Sequence, residues 1–96
     1  MSPLKRKKLV KIRSQLDKLD NSLMRIIKTR TNLVKKVLSL KEKKNQIVDH
    51  KRIKEILRNI RKKSLRNNID PKITNRIWKN MILAYIDFEK RNFKKK

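Results

Sequence analysis

The chain has 96 residues, which sets one small domain as the expectation, and carries 31 Lys and Arg against 8 Asp and Glu, a formal net charge of +23. It contains no Gly, no Cys and a single His, His50. Glycine phosphate loops, disulfide frameworks, thiolate zinc sites, Cys nucleophiles and His-rich metal sites are thereby excluded, so neither a metal nor a cofactor is expected.

The first predicted element is a long helix. Apolar residues recur at Leu9, Ile12, Leu16, Leu19, Leu23, Ile26, Leu33, Val37 and Leu40, in steps of 3 and 4 broken once by a step of 7. That is a heptad seam. It predicts one helix from about residue 6 to about residue 44, nearly 60 Å long at ~1.5 Å per residue. A globule of this length has a radius of gyration near ~13 Å, and the remaining ~50 residues cannot wrap such a helix. A second copy must cover part of the seam, which predicts an obligate oligomer, most simply a two-fold dimer.

The segment Asn45-Gln46-Ile47-Val48 breaks the pattern. Asp49 is a candidate N-cap for a second, amphipathic helix carrying Ile53, Ile56, Leu57, Ile60 and Leu65 and running to about Arg66. Asn67-Asn68 is expected to end it, because Asn tolerates the left-handed backbone that Gly otherwise supplies. Asp70-Pro71 is an N-cap followed by Pro at the first helical position. The third helix then carries Ile73, Ile77, Trp78, Met81, Ile82, Tyr85, Ile86 and Phe88. No strand pattern, repeat or low-complexity linker interrupts the chain, so residues 1–96 read as a single domain. Its basic ends, 1–8 and 93–96, are expected to fray. No apolar run approaches 18 residues, and Lys5-Arg6-Lys7-Lys8 lacks the apolar stretch of a signal peptide. The expected location is the cytoplasm, away from membranes.

The charge has two readings. A nucleic-acid surface would gather its cations on one face and interleave aromatics. Here basic residues occur in nearly every window, and Trp78, Tyr85, Phe88 and Phe93 all lie towards the C-terminus. The abundance of Lys, Asn and Ile fits compositional drift and a solvated surface instead, so nucleic acid is not the expected partner.

Three polar residues stand where the pattern calls for apolar ones or for a helix end. Arg30 occupies the skipped seam position between Ile26 and Leu33. A desolvated guanidinium needs a partner, either one of the few acids in a register-setting ion pair or an external carboxylate or phosphate. Lys41 follows Arg30 by 11 residues, which places it about 20° away on a continuous helical wheel and about 16 Å along the axis. It is either a snorkelling surface lysine or the second of two cations bracketing a ligand. Glu89 follows Trp78 by 11 residues and Ile82 by 7, on the apolar face of the third helix. It is either half of a salt bridge to one of many lysines or a desolvated functional carboxyl. His50 reads as a solvated loop residue.

Taken in order, these residues resemble the all-helical class of chorismate mutases, often called the AroQ class. The resemblance runs from about Leu9 to Phe93. It rests on Ile12-Arg13-x-x-Leu16-Asp17-x-Leu19-Asp20 and on Leu23-x-x-Ile26-Ile27-x-x-Arg30-x-x-Leu33-Val34-x-x-Val37. It continues through Lys41, Ile47-Val48 leading to Arg52, the Asp70-Pro71 cap and Glu89. It implies an all-α fold of three helices, one long and two shorter, forming an intertwined dimer with two shared active sites. The implied reaction is the pericyclic rearrangement of chorismate, a small dicarboxylate, to prephenate in aromatic amino-acid biosynthesis. That reaction needs no nucleophile, metal or cofactor. It needs the compact conformer held and the charge growing on the breaking ether oxygen stabilised.

Carried over by position, the resemblance makes Arg13 and Arg30 carboxylate-binding residues and sets Arg52 near the ring-side groups. Lys41 becomes a donor to the ether oxygen and to a carboxylate. Glu89 falls where many members have Gln and some Glu, a position that donates to the ether oxygen. Arg13 and Lys41 are 28 residues apart, or ~42 Å along one helix, so sharing one ligand requires two chains. Many members carry an acid directly after the Arg at position 52, where this chain has Ile53. The stretch from Ile47 to Ile53 looks more like the related isochorismate-pyruvate lyases, the first alternative. A non-catalytic basic helical protein that binds nucleic acid is the second.

Overall fold

The computed structural model describes residues 1–94, so the last two of the lysines expected to fray, Lys95 and Lys96, lie outside the described residues. Among the described residues there are three α-helices and no strand. Helix α1 spans Pro3–Leu40, α2 spans His50–Arg66 and α3 spans Pro71–Asn92, with a 3₁₀ turn, Lys44–Gln46, between α1 and α2. The all-α class is the one the sequence predicts.

Helix α1 starts and stops earlier than the periodicity suggests. At its start Ser2 Oγ accepts from the Lys5 amide at 3.2 Å, and Pro3 takes the first position, so the basic stretch 5–8 lies inside the helix. At its end the Lys41 amide donates to the Leu38 carbonyl at 3.1 Å. The next two amides, of Glu42 and Lys43, donate to Gln46 Oε1 at 2.8 and 2.9 Å. Continuing the α-helix would need those amides on the carbonyls four residues back. The Gln46 side chain diverts them, and the helix ends at Leu40 rather than near residue 44.

The other boundaries follow the sequence. Asp49 caps α2, its carboxylate accepting from the Arg52 amide at 3.0 Å. Asn68 adopts φ 55°, the left-handed conformation that turns the chain out of α2. Asp70 accepts from the Lys72 amide at 2.9 Å and Pro71 opens α3.

The chain divides into two units, residues 1–33 and the residues from Val34 onward. The first unit is helix with a one-residue cap, and no residue of α1 is buried. Its seam residues Ile12, Leu16, Leu19, Leu23, Ile26 and Leu33 are 52–65% exposed. A helix with its apolar stripe in water draws no stability from packing.

In the second unit α2 packs against α3. Ile53, Ile56, Leu57 and Ile60 from α2 are half-buried, as are Trp78, Met81, Tyr85 and Ile86 from α3, while Ile82 is buried. Near the turn that joins the two helices, the Ser64 and Thr74 hydroxyls hydrogen-bond at 2.7 Å, and Ser64 Oγ also donates to the Ile60 carbonyl. Ser64 is 2% exposed, so this polar contact is an interior link between α2 and α3. Leu65, Ile73 and Ile77, expected in the core, are instead more than half exposed. Two packed helices bury one line of each stripe, and the rest of a wider stripe stays uncovered.

Candidate active site

Lys41 follows the end of α1, so its direction is set by the turn and not by the helical wheel. Its ammonium lies 3.2 Å from Glu89 Oε1 and 3.4 Å from Oε2. It also donates to the Ile47 carbonyl at 3.5 Å. The side chains of Lys41 and Glu89 are 18% and 8% exposed. The ion pairs Arg52–Glu55 and Arg91–Asp87 are both exposed, each within one helix. Lys41–Glu89 therefore differs in kind: it is desolvated, and it joins residues 48 positions apart.

Local structure explains how the pair forms. Glu89 sits on the buried face of α3, seven residues after buried Ile82, as the sequence spacing predicts. Both Ile47 and Glu89 are buried, at 4% and 6% exposure, and they flank the ammonium with a carbonyl and a carboxylate. An ammonium has three N–H donors. Here they face three oxygens, both of Glu89 and that of Ile47, and the residual exposure of Lys41 leaves one side of the ammonium open to solvent. The pair thus presents one cationic donor and one carboxyl group side by side in a largely dehydrated setting, where electrostatic interactions are stronger than in water.

The other candidates are placed differently. Arg13 is exposed and Arg30 half-buried, both on α1 within the first unit. Arg52 lies in the first turn of α2, where its guanidinium pairs with Glu55 Oε1 at 2.6 Å on the surface. The structure thus brings Lys41 and Glu89 together within the second unit and directs Arg52 to a different acid. A groove of about 660 Å³ runs between α2 and α3, lined by Leu57, Arg58, Ile60, Arg61 and Pro71 among others. None of the five candidate residues lines it. Among the described residues, no group of three or more His, Cys, Asp or Glu side chains is arranged to hold a metal ion.

The family model described as chorismate mutase type II matches residues 12–90 of this chain. The chain belongs to that family. The matched span of the chorismate mutase type II family contains Arg13, Arg30, Lys41, Arg52 and Glu89. Neither the lyase alternative nor the nucleic-acid-binding alternative gains support from it. No curated protein and no solved structure matches the chain. No helix among the described residues is long and apolar enough to cross a membrane.

Sequence reasoning missed the Ile47 carbonyl, because a backbone acceptor leaves no mark in residue type. It also missed Gln46. The available signal was a side-chain amide three and four residues beyond two backbone donors at a helix end, a spacing at which a side chain competes with the helix ladder.

Proposed function

We propose that this protein is a chorismate mutase that converts free chorismate to prephenate, without a cofactor, as a cytoplasmic step of aromatic amino-acid biosynthesis. The observation that carries the reading is the buried Lys41–Glu89 pair, at 3.2 Å, inside a family match that spans most of the chain. In the rearrangement the ether C–O bond breaks as a C–C bond forms within one molecule, and negative charge gathers on the ether oxygen. The Lys41 ammonium, turning from the longer of its contacts, stabilises that charge. Glu89 stands beside it at the position that the family resemblance gives to a second donor to the ether oxygen, a role that a carboxylic acid or an amide fills. Arg13 and Arg30 hold the two carboxylates through bidentate, charge-assisted contacts that select the compact conformer. Arg52 serves the ring side, exchanging its surface contact with Glu55 for the ligand.

The active form in this reading is a homodimer with shared sites. The uncovered seam of α1 is the apolar surface a second copy would bury. The sequence separation of Arg13 and Lys41 supports a site that takes Arg13 from one chain and Lys41 and Glu89 from the other.

The test is direct. Purified protein is incubated with chorismate and, separately, with isochorismate, and the products are separated and identified. Prephenate from chorismate is the expected result. Pyruvate and salicylate from isochorismate, with chorismate left intact, would assign the lyase reaction instead. Inertness towards both substrates would remove the catalytic reading.

A further inference from the structure

We propose that Gln46 is a positioning residue for the Lys41 ammonium; the inference rests on the reading of Lys41 as a donor to the reacting ether oxygen. Lys41 lies beyond the last residue of α1, so the helix does not fix its side chain. What fixes it is the turn that follows. Gln46 Oε1 accepts from both the Glu42 and Lys43 amides, the two donors immediately after Lys41. The Gln46 amide donates in turn to the Lys43 carbonyl at 3.1 Å, and the Ile47 amide to the Lys44 carbonyl at 3.2 Å. The next carbonyl along the chain, that of Ile47, accepts from Lys41 Nζ, and the Ile47 side chain is anchored at 4% exposure.

The loop from Lys41 to Ile47 is thus closed at two levels. One end carries the ammonium, the other carries a carbonyl that orients it, and the Gln46 side chain joins the two. The two Glu89 oxygens supply charge and, belonging to one carboxyl group, a single direction. The Ile47 carbonyl supplies the second direction, and together they fix the place of the ammonium.

The alternative to this turn is written in the sequence. The apolar periodicity suits a helix that continues to about residue 44, in which the Glu42 and Lys43 amides would return to the carbonyls of Leu38 and Ser39. Gln46 prevents that by taking both amides. Without its acceptor the last turn of α1 can extend, and Lys41 moves with the helix away from the Ile47 carbonyl. A displacement of about 1 Å at a catalytic donor costs on the order of a hundredfold in rate.

Gln46 itself is exposed and carries no charge, so it contributes little to substrate capture. Its loss should therefore appear in kcat rather than in KM.

The experiment compares Gln46→Met, which keeps length and removes the acceptor, with Gln46→Glu, which keeps an acceptor oxygen at the same reach. Each is made in the 96-residue chain. Chorismate turnover and circular dichroism are read for all variants. The expected result is a fall in kcat of about tenfold or more for Gln46→Met with a smaller change in KM. Gln46→Glu should stay within about threefold of the parent. Gln46→Asn, too short to reach both amides, replaces Gln46→Met if the latter does not fold. Parent-like kcat in the Met or Asn variant, or a loss for Gln46→Glu as large as that for Gln46→Met, overturns the proposal alone. Absence of turnover in the parent overturns the mutase reading and this inference with it.

Discussion

Replacing Lys41 by Met isolates the energetic meaning of the buried pair. The substitution keeps the length of the side chain and removes its charge, leaving the Glu89 carboxylate 8% exposed without the cation 3.2 Å away. Deleting one partner of a buried ion pair costs about 3–5 kcal/mol, because the surviving charge stays desolvated. Lys41 is itself 18% exposed, and water entering beside the Met reduces the figure to about 2–3 kcal/mol. For a domain of this size that corresponds to a fall in Tm of about 10–20 °C. Thermal melts followed by circular dichroism at fixed protein concentration should show the deficit of Lys41→Met at about pH 7.5. Adding Glu89→Gln to Lys41→Met removes the stranded charge and should restore stability to within about 1 kcal/mol of the parent at neutral pH. A Lys41→Met melt that matches the parent at neutral pH, or a deficit that Glu89→Gln leaves unchanged, would refute the claim that these two charges depend on each other.

Three further outcomes follow from the proposed reaction. Glu89→Gln, which keeps a neutral donor of nearly the same shape, should hold or raise turnover of chorismate at neutral pH, and Glu89→Ala should lose it; parent-like turnover in Glu89→Ala counts against the role of Glu89. Inactive Arg13→Ala and inactive Lys41→Ala, mixed under conditions of subunit exchange, should regain activity through heterodimers holding one intact site; no recovery after proven exchange argues against shared sites. Raising ionic strength should lower kcat/KM more than kcat, since a chain of net charge +23 attracts a dianion through a field that salt screens. Equal effects on both parameters would assign the charge no part in substrate capture.

The sequence by itself determined the helices and most of their ends. Heptad spacing, Asp49, Asn67-Asn68 and Asp70-Pro71 act locally, through capping and backbone preference, so residue order is enough to read them. It also placed Glu89 on the buried face of α3, because seven and eleven residues are near-whole numbers of turns. The ordered set of Arg13, Arg30, Lys41, Arg52 and Glu89 was legible for the same reason, as a linear pattern. Tertiary structure decided what local order cannot encode. It chose Glu89 as the acid for Lys41 from among 8 acids, a contact across 48 positions. It left Leu65, Ile73 and Ile77 exposed, because α2 and α3 bury only the line along which they meet. It also ended α1 at Leu40, where two backbone amides prefer one Gln46 oxygen to another helical turn. The competing hydrogen bonds are of similar strength, and the Gln46 oxygen, by taking both amides at once, decides between them.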